Sequence, residues 1–250
     1  MILRPNPDRT QPCALRALTA LYQIEHSWTG SVILSLGLHE AGRALAIAGN
    51  IAGAVTLAID DNAVHLREVV RTGACDFVVK TLDEAIRAMK NEVRKGAPLS
   101  VALAVEPAVA ISEIVDRGLA PKLFASFVRG SVNDQSLDYA ASHLSSLGAV
   151  LVDFTEEPGS TSLLEQWQRA DQLVTAHVKH PGWTLRTFTF SSPAELRAFD
   201  IRALALLTKE DDLRRRWLEA APRILQRERP PQRSLWLTPV EAENLAAPGS

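Results

Sequence analysis

The stretch SVILSLGLHEAGRALAIAGNIAG, Ser31–Gly53, decides the fold of this chain. A branched apolar run leads into a turn at Gly37, and an alanine-rich segment typical of a helix follows. A strand, a glycine turn and a helix in this order bind phosphate in dinucleotide-binding parallel sheets, which need small residues where the backbone meets the ligand. Here His39, Glu40 and Arg43 stand in the turn. The stretch therefore predicts such a fold with most of its phosphate-loop glycines replaced.

Seven short apolar runs along the chain have the composition of strands. They are Ser31–Leu36, Ala54–Ile59, Cys75–Val79, Leu99–Val105, Lys122–Val128, Ala149–Phe154 and Thr184–Phe190. The first six begin 21 to 27 residues apart, which leaves room for one helix between each pair. Runs such as VTLAI and LSVALAV are apolar almost throughout, as strands covered on both faces are. We predict an α/β fold, a Rossmann-like, doubly wound and mostly parallel sheet of about six or seven strands with helices on both faces.

The segments between these runs carry helix start and stop signals. Thr81 and Glu84 form a capping-box pattern, and Gly96 lies just past the end of the same apolar stripe. Trp167 lies on a core-facing stripe. Further helices are predicted over Gln11–Trp28, from Pro107, from Asp134, over Ser160–Lys179, from Ser192 and over Thr208–Ala221.

The last part of the chain differs from the regular core. The run TLRTFTF alternates polar and apolar residues, so we expect it half exposed at a sheet edge. After the proline-rich Arg227–Arg233, we expect at most a short helix from Leu235 and then a loose tail. The predicted organisation is an N-terminal arm and helix over 1–30, a Rossmann-like domain over 31–190, and C-terminal helices with a loose tail over 191–250.

Composition and charge exclude several classes of protein. With 46% apolar residues and a net charge of −2, the chain is neither disordered nor a nucleic-acid-binding polycation. Cys13 and Cys75 form neither a zinc-type cluster nor a disulfide framework. No apolar run has transmembrane length, and the N-terminal residues lack a signal-peptide core. We expect a soluble cytoplasmic protein that binds neither nucleic acid nor membrane.

Several phrases of the sequence, in order and without large gaps, resemble one family. They are GLHEAGRALAIAGNIAGA (Gly37–Ala54), LAID ending at Asp60, VVRTGACDFVVKTLDEAIRAM (Val69–Met89), KGAPLSVAL (Lys95–Leu103) and EIVDRGLAPKL (Glu113–Leu123). From Val32 to about Phe124 the chain is similar to the NAD-binding Rossmann-like domain of urocanase (urocanate hydratase). In that family a glycine-rich run of the same length stands where Gly37–Ala54 stands here.

The resemblance implies NAD as the cofactor, because urocanases use tightly bound NAD as an electrophile that attaches to the imidazole ring of urocanate. It implies that Gly37 and Gly42 survive from the phosphate turn and that Asp60 matches the ribose-binding carboxylate. A family arginine becomes His65 and an asparagine becomes Glu106. Nothing in this chain corresponds to the catalytic cysteine and the urocanate-binding residues, which belong to a separate part of the family's chains.

Further replacements follow the fifth predicted strand, where Phe127-Val128-Arg129-Gly130-Ser131 stands in place of the family's QTSAH. The resemblance places Arg129 among the cofactor-binding positions, together with His39, Glu40 and Arg43 of the turn. No residue of the chain is predicted to be catalytic or to bind a metal.

The charges around the turn do not favour NAD. Glu40 at the start of the helix would satisfy the helix dipole where a pyrophosphate would bind. An anion would meet the carboxylates of Glu40, Asp60, Asp61 and Glu106, with Arg43, His39 and His65 as partial compensation. Asp60 and Asp61 are equally suited to capping a helix.

Three functions remain open from the sequence. The first is a non-catalytic, urocanase-derived Rossmann module that binds a small ligand or a protein partner. The second is an NAD- or nucleotide-dependent lyase or oxidoreductase that needs a partner chain for its catalytic half. The third is an oligomerising structural subunit that associates through the apolar N-terminal helix or the helix of Trp217.

Overall fold

The fold is described from a computed structural model, over residues 9–127, 134–154, 167–179 and 182–246. The strands in these residues are β1 (Val32–Leu36), β2 (Val55–Ile59), β3 (Phe77–Val79), β4 (Leu99–Leu103), β5 (Leu123–Ser126), β6 (Val150–Asp153), β7 (Gln168–Arg169), β8 (Thr184–Thr189) and β9 (Gln232–Leu237). The helices are α1 (Thr10–Ile24), α2 (Glu40–Ala52), α3 (Ala63–Thr72), α4 (Leu82–Lys95), α5 (Pro107–Asp116), α6 (Asp134–Ser146), α7 (Ala170–Lys179), α8 (Pro193–Leu206), α9 (Asp212–Ile224) and α10 (Pro239–Ala246).

Seven strands form one parallel sheet in the order β3-β4-β2-β1-β5-β6-β7, which confirms the predicted doubly wound α/β fold. β1 pairs with β2 on one side and with β5 on the other, so Leu34 lies beside both Leu57 and Phe124. The chain crosses β2 and β1 to pass from β4 to β5. The carboxyl ends of β1 and β5 therefore flank the topological switch point, where open α/β sheets bind ligands.

Helices cover both faces of the sheet, because its strands are apolar on both sides. All five residues of β2 are buried. One core joins buried side chains of α1, α2, α7 and α9 to one face, and a second core joins those of α4, α5 and α6 to the other. The separate cores explain the nearly continuous apolar runs seen in the sequence.

The predicted helix signals are confirmed where the structure describes them. The Thr81 hydroxyl accepts the backbone N–H of Glu84, whose carboxylate accepts the N–H of Thr81, so the capping box is formed. Pro107 occupies the first turn of α5, and α6 begins at Asp134. Trp167 packs against Phe124 with ring centroids 5.7 Å apart, in line with its predicted packing role.

In the last third of the chain one prediction is confirmed and one was wrong. Thr184–Thr189 is half exposed and lies at a sheet edge as predicted, but the sheet is a separate two-stranded one, in which this strand pairs antiparallel with Gln232–Leu237. The seventh strand of the main sheet is instead Gln168–Arg169, within the segment predicted as one helix over Ser160–Lys179. That helix begins at Ala170, and residues 160–166 lie outside the described part of the chain.

Strand β9 was also not predicted from the sequence, because two prolines precede it and its partner strand is remote in sequence. All its residues are buried, and its backbone bonds to α1: Gln11 donates to the Gln232 carbonyl at 2.8 Å and accepts the Ser234 N–H at 3.0 Å. The Trp236 indole N–H donates to the Thr19 hydroxyl at 2.8 Å. Arg233, 1% exposed, makes a bidentate ion pair with Asp200 of α8.

A second charge cluster ties α9 to α10. The Arg214 guanidinium lies 2.9 Å from Glu241, is paired with Asp211 and stacks 4.3 Å over the Trp183 ring. The pKa of Glu241 is lowered: burial alone would raise it, but hydrogen bonds from Arg214 and Thr238 and the Arg214 charge outweigh burial.

The segments expected to mediate oligomerisation bury their apolar side chains inside the protomer. Leu15, Leu18 and Leu21 of α1 and Trp217 of α9 are all inaccessible to solvent. In the described residues no helix is both long enough and apolar enough to cross a membrane.

Candidate functional site

The turn after β1 depends on both of its glycines for backbone reasons. Gly37 has a φ of 95°, which L side chains rarely adopt, and its N–H donates to the Ile59 carbonyl at 2.7 Å. A Cβ on Gly42 would lie 2.0 Å from the Gly37 carbonyl oxygen, so the first turn of α2 packs directly on the turn backbone. Gly37 and Gly42 are thus needed by the fold whether or not a ligand binds.

Asp60 closes the turn from the end of β2. Its carboxylate is only 5% exposed, and it accepts the backbone N–H of Leu38 at 2.6 Å and that of Asn62 at 2.8 Å. His65, in the first turn of α3, contributes a third contact through Nδ1 at 2.9 Å. Both carboxylate oxygens are therefore engaged within the protein. We call Asp60 with Leu38, Asn62 and His65 the Asp60 clasp.

His39 occupies the N-terminus of α2. Its Nδ1 accepts the Ala41 N–H at 3.3 Å, and this assigns the ring proton to Nε2, which lies 3.2 Å from the Phe127 carbonyl. The imidazole also meets the Phe127 ring edge to face, with centroids 5.3 Å apart. The ring thus links the carboxyl ends of β1 and β5 and caps the helix where a phosphate would sit in a dinucleotide site.

The remaining predicted residues lie at the same edge of the sheet with different surroundings. Glu40 is exposed in the first turn of α2. Arg43 pairs with Glu68 of α3 at 3.1 Å, and its buried Nε has no hydrogen-bond partner among the described residues. Glu106 is exposed at the N-cap of α5 and makes no capping hydrogen bond with its side chain. Arg129 lies outside the described residues.

An open cavity of about 740 Å³ lies at the topological switch point. Among the described residues, four groups line this switch-point cavity: the start of α2, the aromatic residues after β5 and β6, the N-terminal half of α1 with the residue before it, and the start of α7 with the last residue of β7. In that order they are His39, Glu40, Ala41 and Ala44; Phe127 and Phe154; Arg9, Cys13, Arg16 and Ala17; Arg169, Ala170, Asp171 and Val174. Of the predicted site residues that the structure describes, His39 and Glu40 line it and the others do not.

The charges of the cavity are unevenly compensated. Arg169 lies 3.0 Å from Asp171 and 3.6 Å from Asp153, and its hydrogen bond lowers the pKa of Asp171. Arg16, half-buried in α1, has no carboxylate or other hydrogen-bond partner within the described ranges. Glu40 forms no ion pair there either. Arg16 and Glu40 are thus a guanidinium and a carboxylate of the cavity that no described residue compensates.

The two cysteines differ in reactivity. Cys13 is half-buried and lines the cavity, whereas Cys75 is buried and burial raises the pKa of its thiol to about 12. Since the thiolate is the nucleophile, Cys75 is inert at neutral pH. Over the described residues, no group of three or more His, Cys, Asp and Glu side chains is arranged to hold a metal ion.

The cavity residues of α1 and α7 were not predicted from the sequence, because no local pattern shows that these two helices meet at the switch point. The available signal was modest: Phe127 and Phe154 stand at the carboxyl ends of two predicted runs, on the edge of the sheet where ligands bind. The turn itself was found, but its hydrogen bonds were not.

A comparison with protein families matches residues 14–139 to the urocanase Rossmann-like domain, which is half of the 250-residue chain. The match runs from α1 into α6 and so contains β1 to β5, the turn and the Asp60 clasp. It begins before and ends after the stretch whose phrases resemble urocanase in the sequence analysis. The chain therefore belongs to the urocanase family, through its Rossmann-like domain.

Proposed function

We propose that this chain is a non-catalytic Rossmann module of the urocanase family that binds a small ligand in the switch-point cavity and does not bind NAD as a dinucleotide fold does. The Asp60 clasp is the observation that carries the proposal. In a dinucleotide site the carboxylate after the second strand accepts a ribose hydroxyl. Here Leu38 and Asn62 donate to Asp60, His65 lies 2.9 Å from it and the residue is only 5% exposed, so a ribose hydroxyl would have to compete with protein contacts for a buried carboxylate.

The start of α2 supports the same conclusion. Pyrophosphate binding uses the unpaired N–H groups and positive dipole end of a helix. In this chain the Ala41 N–H bonds to His39, and the adjacent carboxylate of Glu40 is exposed at that helix end. A dianionic pyrophosphate bound at this helix end would lack the hydrogen bond from the Ala41 N–H and would be repelled by the Glu40 carboxylate.

The cavity supports ligand binding of another kind. Its volume of about 740 Å³ lies within the roughly 300–1,000 Å³ that small-molecule sites occupy. It combines two aromatic side chains with an uncompensated arginine, and such mixed apolar and polar linings are typical of binding sites.

The competing function is an NAD- or nucleotide-dependent lyase or oxidoreductase with a partner chain. Gly37, Gly42 and Asp60 still meet at the carboxyl edge of β1 and β2, which is the observation in its favour. In that case the clasp would open on binding, and NAD would bind measurably to the isolated chain.

Thermal unfolding and calorimetry with NAD, ADP-ribose and AMP at millimolar concentration test the proposal. A ligand present at 100 times its Kd stabilises the folded state by about 2.7 kcal/mol, which raises Tm by roughly 5–10 °C in a chain of this size. We expect no shift and no saturable heat with any of the three. A saturable shift with NAD would overturn the proposal in favour of the enzyme.

A further inference from the structure

Arg16 is a cavity arginine to which no described residue supplies a counter-charge. The guanidinium of Arg169, by comparison, lies near two carboxylates, Asp153 and Asp171. Arg16 is half-buried in the middle of α1 and has no such partner in the described parts of the chain. A partly desolvated guanidinium gains most from a carboxylate that accepts two parallel N–H bonds, and a ligand in the cavity can supply one.

The wall of the cavity at the ends of β5 and β6 is apolar and aromatic. The Phe127 and Phe154 rings lie 6.2 Å apart and are tilted by 41° to each other. Phe127 also contacts the imidazole of His39 edge to face. Ala17 and Ala44, with small side chains, line the same cavity as these rings. An aromatic wall next to open space favours a flat apolar group stacked or packed edge to face.

The choice between a carboxylate and a phosphate follows from the donors that remain. A phosphate is held by several N–H groups at a loop and helix start. At this site the Leu38 N–H is bonded to Asp60 and the Ala41 N–H to His39. The Glu40 carboxylate lines the same cavity and repels a dianion more strongly than a monoanion. One arginine fork matches a carboxylate.

We propose that the switch-point cavity binds a small organic monocarboxylate with a flat apolar body, its carboxylate on Arg16 and its body against Phe127 and Phe154. The proposal rests on the ligand-binding role proposed above and names the ligand class. The Glu40 carboxylate repels the negative charge of the ligand and so disfavours ligands with more than one negative charge.

Phenylacetate is the test probe, with 2-phenylethanol as its neutral match, phenethylamine as its cationic match and inorganic phosphate as an anion without an apolar body. Cys13 supplies a direct readout, because it lines the cavity and Cys75 is buried with a pKa of about 12. We expect phenylacetate to slow the alkylation of Cys13 in a saturable manner and to give a matching calorimetric Kd. The three other compounds should be much weaker.

Variants locate the probe. Arg16→Gln should weaken phenylacetate about 10- to 100-fold, because a charge-assisted hydrogen bond is lost. Arg16→Lys keeps the charge but loses the planar guanidinium, so its affinity for phenylacetate should lie between those of the wild type and Arg16→Gln. Glu40→Gln should strengthen binding a few-fold. Arg87→Gln, an exposed arginine of α4 on the opposite face of the sheet, is the control and should change nothing. Circular dichroism checks that each variant is folded.

Each alternative result has a distinct meaning. Stronger binding of 2-phenylethanol or phenethylamine than of phenylacetate would overturn the carboxylate assignment and leave ligand binding in place. Equal phenylacetate affinity in the wild type and Arg16→Gln would overturn the site. If phosphate protected Cys13 better than phenylacetate did, the ligand class would be a phosphate and not a carboxylate. Protection of Cys13 by NAD alone would overturn the proposed function itself.

Discussion

Replacing Asp60 by asparagine should destabilise the unliganded protein, because the Asp60 clasp is part of the fold. The substitution conserves the shape of the side chain but turns one acceptor into an N–H₂ donor. One carboxylate oxygen accepts the Leu38 N–H at 2.6 Å and faces His65, while the other accepts the Asn62 N–H at 2.8 Å. The asparagine oxygen can serve only one of these two positions.

The magnitude follows from the burial of the partners. Leu38 is inaccessible to solvent, so its N–H cannot exchange Asp60 for water. Leaving a buried donor unsatisfied costs about 1–3 kcal/mol, and a hydrogen bond to a charged group contributes about 1.5–3 kcal/mol. These overlap, and we expect Asp60→Asn to lower the free energy of unfolding by about 2–4 kcal/mol. His65→Ala should cost less, because His65 is half exposed.

Urea unfolding followed by circular dichroism measures this change, with Asp61→Asn as the matched control. Asp61 is the next residue and exposed, so its substitution should stay within about 0.5 kcal/mol of the wild type. If Asp60→Asn were as stable as Asp61→Asn, the clasp would not be structural. If the wild type bound NAD and Asp60→Asn abolished that binding, Asp60 would be a ribose ligand as in a working dinucleotide site.

Three further predictions concern the packing and charges of the fold. Asp200→Asn should lower the unfolding free energy by about 3–5 kcal/mol, because it leaves the buried guanidinium of Arg233 uncompensated; a loss below about 1 kcal/mol in urea unfolding would contradict the pairing. Gly42→Ala should cost about 1–3 kcal/mol, since its Cβ would lie 2.0 Å from a backbone oxygen, and a neutral result would refute that close approach. The lowered pKa of Glu241 means that its pairing with Arg214 stabilises the fold at and above its ordinary pKa of 4.5 and is lost as pH falls below it. Thermal unfolding from about pH 7 to about pH 3 should therefore show a shallower decline in Glu241→Gln, and equal declines would count against the pair.

The sequence predicted the main sheet well because its strands are buried on both faces. β1, β2, β4 and β5 each lie within one of the apolar runs. β7 could not be found in this way, because Gln168–Arg169 is a two-residue polar strand that gives no apolar run. β9 was not predicted, because the two prolines before it indicate a loop. It is a strand because it pairs with β8, as at Thr187 and Ser234, which are 47 residues apart.

The candidate site was predicted only at the level of position. The rule that carboxyl ends of parallel strands share one edge placed Glu40, Asp60 and His65 near each other, and the structure has Asp60 and His65 in contact. The partner of Asp60 in the turn is a backbone N–H, which sequence pattern does not identify. Arg16 was read only as part of a core-facing helix, since its place at the cavity depends on the packing of α1 across the sheet.

The bonds between α1 and β9 have a consequence for how the chain is made. Gln11 and Ser234 are 223 positions apart, and Thr19 and Trp236 are 217 apart. On the ribosome, the surface of α1 that β9 covers therefore stays bare while the whole parallel sheet is being translated. Nascent chains with such bare apolar surface are clients of chaperones and substrates of proteases. This exposure ends only when β9 has left the ribosome and packed against α1.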